Sequence, residues 1–417
     1  MTPSERYVAH LCEKSFLPFW NFPNPIGKKN KELCDVLIVC GNSILIISVK
    51  HIKMSIHSDE KIRSERWIKK AIEDSAKQIY GAERFLKTVD EVYTKNRTNK
   101  ISLPPKNQRE IYRIAIAFGS DYSLPLPYGD FGQGYIHVFD EETTSILLSE
   151  LDTITDFTRY LIDKVEFLKE KYFSMPKESD FLAFYIQTGL DIDEKVDSIV
   201  SDCGLWDSYV ESEEYKDWQN LLPQSYIWDY MIAQLHDYHI SEETTDERRN
   251  DLEEAIRVIN QEPRINRIEL GGILDNAIQR KSNGRMLRPL KGAEHCYVFM
   301  PLTSKNWEGK ENELELRCLV ARMENPNIKR VIGIGFGNNG DGKEVYDICS
   351  HYIPEMSEDF ISNAKAIQEN LGYFKNPTIS HSKEYRQEDF KDTDFNVNSS
   401  FYAGLTLLNL LAKRNIS

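Results

Sequence analysis

Hydrophobic and polar positions in this chain follow two rhythms, and the switches between them mark its elements. From Lys31 to Lys53 the sequence reads KELCDVLIVCGNSILIISVKHIK. Two β-branched, apolar runs, Cys34 to Cys40 and Ile44 to Lys50, flank Gly41-Asn42-Ser43, which predicts a β-hairpin. Asp35, Ser48 and Lys50 are the polar interruptions of that pair. A charge in a buried strand is costly unless it is paired or binds a metal. Ser48 and Lys50 are two residues apart and share one face of their strand. A carboxylate on one strand and a Ser-x-Lys on its neighbour can therefore converge on one spot.

Helical periodicity surrounds the hairpin. Thr2-Pro3-Ser4-Glu5 is a helix start with a capping box, followed by an apolar stripe of Tyr7, Val8, Leu11 and Cys12. Leu17 to Pro25 is aromatic and proline-rich and predicts an extended connector, whose rings either pack on the domain or stack on bases. A polar loop from His51 to Lys61 leads to a long helix, Ser64 to Thr88, with Trp67, Ala71, Ala76, Ile79, Ala82, Phe85 and Leu86 as its stripe. Ile111 to Phe118 and Gly134 to Phe139 read as further strands, and Thr153 to Tyr172 as an amphipathic helix that Ser174-Met175-Pro176-Lys177 breaks. A tryptophan-rich, acidic, helical stretch follows to about Arg288. Beyond it strands at Tyr297 to Met300 and Lys329 to Phe336 alternate with helices at Glu313 to Glu324 and Glu358 to Leu371. The expected fold class is α/β. Its domains are 1–174 (a mixed sheet flanked by helices), 175–290 (mainly helical, acidic) and 291–417 (α/β).

At 417 residues, two or three domains with substantial cores are expected. The longest apolar runs are strand-sized, so no membrane span is expected, and the first residues lack a signal-length apolar core. Seven scattered cysteines without a CxxC pair suggest buried thiols in a reducing cytoplasm rather than a disulfide framework. The net charge is −14, yet Lys28 to Ala115 holds 19 Lys and Arg against 11 Asp and Glu. A basic segment around the hairpin either forms a solvated face or meets a phosphate backbone.

The hairpin resembles the core of the PD-(D/E)xK nuclease superfamily, as in restriction endonucleases and RecB-like nucleases. Asp35 matches the Asp that opens one strand, and Lys50 matches the lysine that ends the next. Ser48 stands where an acid is usual. The resemblance covers roughly the first 120 residues. Glu5 matches the glutamate on the family's first helix, with Glu13 second, and Gln78-Ile79-Tyr80 is similar to a Q-x-x-x-Y motif at shorter spacing. What the resemblance implies is a restriction-endonuclease-like fold and a Mg²⁺- or Mn²⁺-dependent endonuclease. Asp35, Ser48 and Glu5 would be metal ligands, and Asp35, Ser48, Lys50 and Glu5 catalytic. Glu73, and more weakly Asp59 and Glu60, could supply the missing carboxylate. Lys28, Lys29, Lys53 and Gln78 would contact nucleic acid. The partner would be DNA, with RNA left open, in a setting such as bacterial restriction or anti-phage defence. Residues 175–417 would meet a partner protein, and the chain could self-associate.

Ser48 keeps a second function in view, a catalytically inactive nuclease fold used as a nucleic-acid or protein binding module. Gly337 to Glu344 approaches a phosphate-binding GxxxxGK[ST] loop, but Glu344 replaces the Mg²⁺-binding hydroxyl, so an ordinary turn is expected. His137 is expected to be a satisfied core histidine. His236 and His239, three apart on a helix, lack nearby ligands.

Overall fold

The computed structural model describes residues 1–54, 59–120, 126–174, 177–193, 195–200, 204–239, 246–279, 284–290, 292–338 and 342–375. Met175, Pro176, Cys203 and residues 339–341 lie outside them, as do the side chains of Glu60 and His239. The chain divides into two compact units, with the boundary between Lys216 and Asp217.

The elements of the first unit are α1 (Pro3–Phe16), β1 (Asn21–Pro23), β2 (Val36–Cys40), β3 (Ser43–His51), α2 (Glu60–Ile68), α3 (Asp74–Leu86), β4 (Glu91–Tyr93), β5 (Lys100–Ser102), β6 (Glu110–Phe118), β7 (Gly129–Asp130), β8 (Tyr135–Phe139), α4 (Glu141–Glu150), α5 (Ile154–Glu170), β9 (Tyr172–Ser174), α6 (Glu178–Thr188), β10 (Ser198–Val200) and α7 (Leu205–Val210). Six strands form one mixed sheet in the order β1-β2-β3-β6-β8-β7. β1, β2 and β3 run antiparallel, whereas β3, β6 and β8 are parallel. A parallel neighbour for β3 needs a crossover, and α2 and α3 supply it. The hairpin turn is only Gly41-Asn42, with Gly41 at φ 59, and Ser43 already pairs with Cys40.

Burial explains the remaining shape. Thr2 caps α1, and Glu5 and Thr2 exchange the two hydrogen bonds of a capping box. The buried stripe of α1 is Val8, Ala9, Cys12 and Phe16, rotated from the expected one, and Tyr7 is exposed. Pro18–Trp20 forms a 3₁₀ turn before β1, where extended chain was expected. The long helix is broken by a π-turn at Lys69–Glu73. Its apolar stripe steps five residues, from Ala71 to Ala76, where a helix steps three or four. The π-turn absorbs the extra residue, so Trp67, Ala71, Ala76 and Ile79 all reach the core.

One ion pair fixes α3 to the sheet. Arg113 of β6 holds Glu83 of α3 in a fork, at 2.5 Å (Nε to Oε2) and 2.7 Å (Nη2 to Oε1), and Lys87 joins at 2.8 Å. Burial pushes the Glu83 carboxyl up, but hydrogen bonds from Arg113 and Lys87 outweigh it and hold the group below its ordinary range. His137 of β8 is buried as expected, between the rings of Tyr135 and Phe139, and among the described residues its Nδ1 has no hydrogen-bond partner.

α8 (Glu213–Leu221) spans the division. The second unit contains α9 (Pro223–His239), α10 (Asp246–Asn260), α11 (Arg264–Gln279), β11 (Arg285–Met286), β12 (His295–Pro301), α12 (Lys310–Glu324), β13 (Arg330–Asn338), β14 (Glu344–Tyr352) and α13 (Glu358–Leu371). Its sheet runs β11-β12-β13-β14. β13 and β14 pair antiparallel up to Asn338 and Glu344. The near-phosphate-loop sequence therefore joins two strands of a hairpin, whereas a phosphate-binding loop leads from a strand into a helix.

Glu83→Ala is expected to leave Arg113 without its partner and to cost about 2 kcal/mol, less than a fully buried pair because Arg113 keeps some solvent. The urea midpoint of the transition that unfolds the first unit measures this. A loss below about 0.5 kcal/mol, the level of an exposed pair, would remove the fork as the tie between α3 and β6.

Candidate active site at the end of the hairpin

Where the β2–β3 ladder ends, a side chain continues it. The last paired residues are Val36 and Ile47. The Asp35 amide donates to Ile47 O at 3.2 Å, and its carbonyl accepts from Asn24 N–H at 2.9 Å. Its carboxylate Oδ2 then accepts the Val49 N–H at 2.6 Å. Asp35 is 3% exposed. Desolvation pushes its carboxyl up to about 6. The Val49 N–H and the charge of Lys50 oppose that rise, and the charges of Glu5 and Glu32 add to it. Five sequence positions therefore meet electrostatically at one strand end.

Ser48 and Lys50 lie on the face of β3 that carries Ile44 and Ile46, which pack against α3. Ser48 is fully buried and donates from Oγ to Gln78 Oε1 of α3 at 3.1 Å. Lys50 is half-buried. Among the described residues it closes no ion pair, although its charge reaches both Asp35 and Asp74. Asp74 opens α3 one turn before Gln78, so the two share the helix face over Ser48. A hydrogen bond from Lys77 holds the Asp74 carboxyl below its ordinary range, with Lys50 a further contributor.

The opposite face of β3 anchors α1. Ser4 Oγ lies 2.8 Å from His51 Nδ1. This contact sets the start of α1, and with it Glu5, beside the strand end. Glu5 Oε2 accepts the Thr2 N–H at 2.9 Å, so the capping box and the approach to Asp35 use the same side chain.

Lys50 and Glu5 are thus brought within electrostatic reach of Asp35, and Ser48 is joined to Gln78 on the α3 face of the same strand end. Lys28, Lys29 and Lys53 are exposed on the segments that lead into Asp35 and out of Lys50. Glu73 ends the π-turn, and it is Asp74, the next residue, that Lys50 reaches. Glu32 and Asp74 join the site without having been singled out. Glu32 sits three residues before Asp35, a separation that alternation alone does not place on the same strand face, and Asp74 reaches Lys50 only through the π-turn.

The donors here are hard oxygens, suited to Mg²⁺ or Mn²⁺. No group of three or more His, Cys, Asp or Glu among the described residues could hold a metal. Among the described residues Oδ1 of Asp35 accepts no hydrogen bond, so it could give one ligand to an ion shared with a substrate phosphate and water, rather than to a closed protein cage.

Residues 3–110 match the family model described as NERD, nuclease-related domain. That span contains every residue of the site, and it agrees with a PD-(D/E)xK-like nuclease core at the N-terminus. No curated protein and no solved structure gives a match. Among the described residues no helix is long and apolar enough to cross a membrane.

The raised Asp35 carboxyl has a stability consequence. Its folded-state value lies above its ordinary one, so the native state holds the proton more tightly than the unfolded chain. Stability is then highest below about pH 4 for this group and declines as pH rises through about 6. Asp35→Asn is expected to remove that decline and to stabilise the fold at pH 7 by about 2 kcal/mol. Urea unfolding at pH 4, 5, 6 and 7 measures it; equal or lower stability of the variant at pH 7 contradicts the assignment.

Proposed function

We propose that this nuclease-related N-terminal domain binds nucleic acid and hydrolyses a phosphodiester bond, with divalent-metal assistance, at the Asp35–Ser48–Lys50 strand end. The observation that carries this reading is a charge arrangement. A buried carboxylate and a half-buried ammonium stand within electrostatic reach, yet Lys50 closes no ion pair among the described residues. Two such groups would stabilise the fold most by pairing. Left apart, they suit a substrate that places a phosphate between them.

The residues take separate roles. Asp35 would hold Mg²⁺ or Mn²⁺ through Oδ1, helped by Glu5 or Asp74. When bound, the ion supplies charge neutralisation at the phosphoryl oxygens and a more acidic water. Lys50 positions the attacking water and stabilises charge that develops on the phosphate. Ser48 orients Gln78, whose Nε2 donates no hydrogen bond among the described residues and is free for a phosphate oxygen or a base edge. Lys28, Lys29 and Lys53 neutralise backbone phosphates, which makes affinity fall with salt. DNA is the substrate of choice here, with RNA as the second arm of the assay.

A second function, a binding module without catalysis, is favoured by one feature. Ser48 offers a neutral hydroxyl in the usual acid position, and that hydroxyl is already engaged by Gln78.

Supercoiled plasmid, single-stranded DNA and RNA incubated with Mg²⁺, Mn²⁺ or EDTA separate the two. Metal-dependent cleavage is expected, lost by about 100-fold or more in Asp35→Ala and in Lys50→Ala. Ser48→Ala should be mild, and Ser48→Glu should strengthen metal binding unless the longer acid overpacks against Gln78. Binding without cleavage in every metal would support the module. Equal cleavage in EDTA, or full activity of Lys50→Ala, would overturn the site.

A further inference from the structure

In the second unit, Gly333 of β13 has no room for a side chain. A Cβ there would lie 2.7 Å from the Sγ of Cys318 and 2.7 Å from the Sγ of Cys349. The two sulfurs fill the space that any other residue would take. They come from α12 and β14 and lie 3.7 Å apart, in contact. Cys349 sits directly opposite Gly333 in the strand register. Sequence spacing could not show this pair, because it depends on a helix packing over a glycine.

The two thiols differ. Cys318 is completely buried, and desolvation pushes it well above the ordinary thiol range. Cys349 is half-buried. A hydrogen bond from Cys318 holds its thiol below the ordinary range against the opposing effect of burial, and His351, two residues along the same strand face, helps. A half-buried cysteine with the more acidic thiol, in contact with a fully buried one, is the arrangement of an attacking and a resolving cysteine. No group of three or more His, Cys, Asp or Glu among the described residues could hold a metal, which argues against a metal site there.

We propose that Cys349 and Cys318 form a reversible disulfide when the protein meets a peroxide, linking α12 to β14. The Cys349 thiolate attacks one peroxide oxygen, the O–O bond breaks, and hydroxide leaves and is protonated to water. Cys349 is then a sulfenic acid. The Cys318 sulfur attacks the Cys349 sulfur, the S–O bond breaks, and a second water carries away the Cys318 proton. Two thiols lose two electrons, and hydrogen peroxide becomes two waters. The sulfurs close from contact to a bond of about 2.05 Å.

The test uses the full-length protein, reduced, freed of reductant and exposed to equimolar hydrogen peroxide. Remaining thiols are alkylated in denaturant, and the digest is mapped by mass spectrometry. The expected result is a peptide pair linked through Cys318 and Cys349 and cleaved by dithiothreitol, with Cys12 and Cys296 still fully alkylated. Cys318→Ser should leave a sulfenic acid at Cys349 that dimedone captures, and Cys349→Ser should leave Cys318 unoxidised. The wild-type map decides the matter even if a variant fails to fold. Full alkylation of both residues, a link from Cys349 to any other cysteine, or overoxidation of Cys349 without a link would overturn the proposal.

Discussion

The first unit depends on a hydrogen bond of 2.6 Å from the Val49 N–H to the Asp35 carboxylate. It replaces a rung of the β2–β3 ladder with a side chain, so the strands part where an anion sits. That placement is costly, because the carboxylate is almost fully buried and only partly compensated by one N–H and the charge of Lys50. The neighbouring elements converge on the same strand end. Ser48 ties β3 to α3 through Gln78, His51 ties it to α1 through Ser4, and nine consecutive residues of β3 pair with β6. The strand is thus tied to three neighbouring elements where its charge is least comfortable.

The arrangement also accounts for what an acid at position 48 would have supplied. A second carboxylate beside Asp35 would hold a metal more tightly but would add repulsion to a group already pushed up by Glu5 and Glu32. With serine there, the strand end stays buried and neutral at one position, and a neighbouring amide is oriented instead. In the proposed function the substrate's own phosphate completes the metal's surroundings, so metal and nucleic acid would bind together.

Much of this was legible in the sequence where a single periodicity ruled. The β-branched runs either side of Gly41-Asn42 gave the hairpin, and with it the shared face of Ser48 and Lys50 on β3. The capping box at Thr2 and Glu5 gave the start of α1. The bounds of α13 were legible too, since Ser357 caps it and Gly372 ends it in a left-handed conformation. Legibility failed where tertiary packing overrides local pattern. The five-residue step from Ala71 to Ala76 is a π-turn only because both residues are buried against the same sheet. Pro18–Trp20 curls into a 3₁₀ turn despite its prolines. β9 and β10 are three-residue strands separated by 23 positions, too short to carry a rhythm. Asp74 was hidden for a related reason, since it follows the π-turn, and Glu32 because it lies outside any strand, in an isolated bridge to Ile26.

The most direct test is the titration of Asp35 itself, by carboxyl-carbon NMR on aspartate-labelled protein with Asp35→Asn as the assignment control. The expected midpoint is about 6 in the absence of divalent metal, falling toward the ordinary carboxylate range as Mg²⁺ is added with a short oligonucleotide. A midpoint near 3.8 without metal, or one that Mg²⁺ and oligonucleotide leave unchanged, would contradict it.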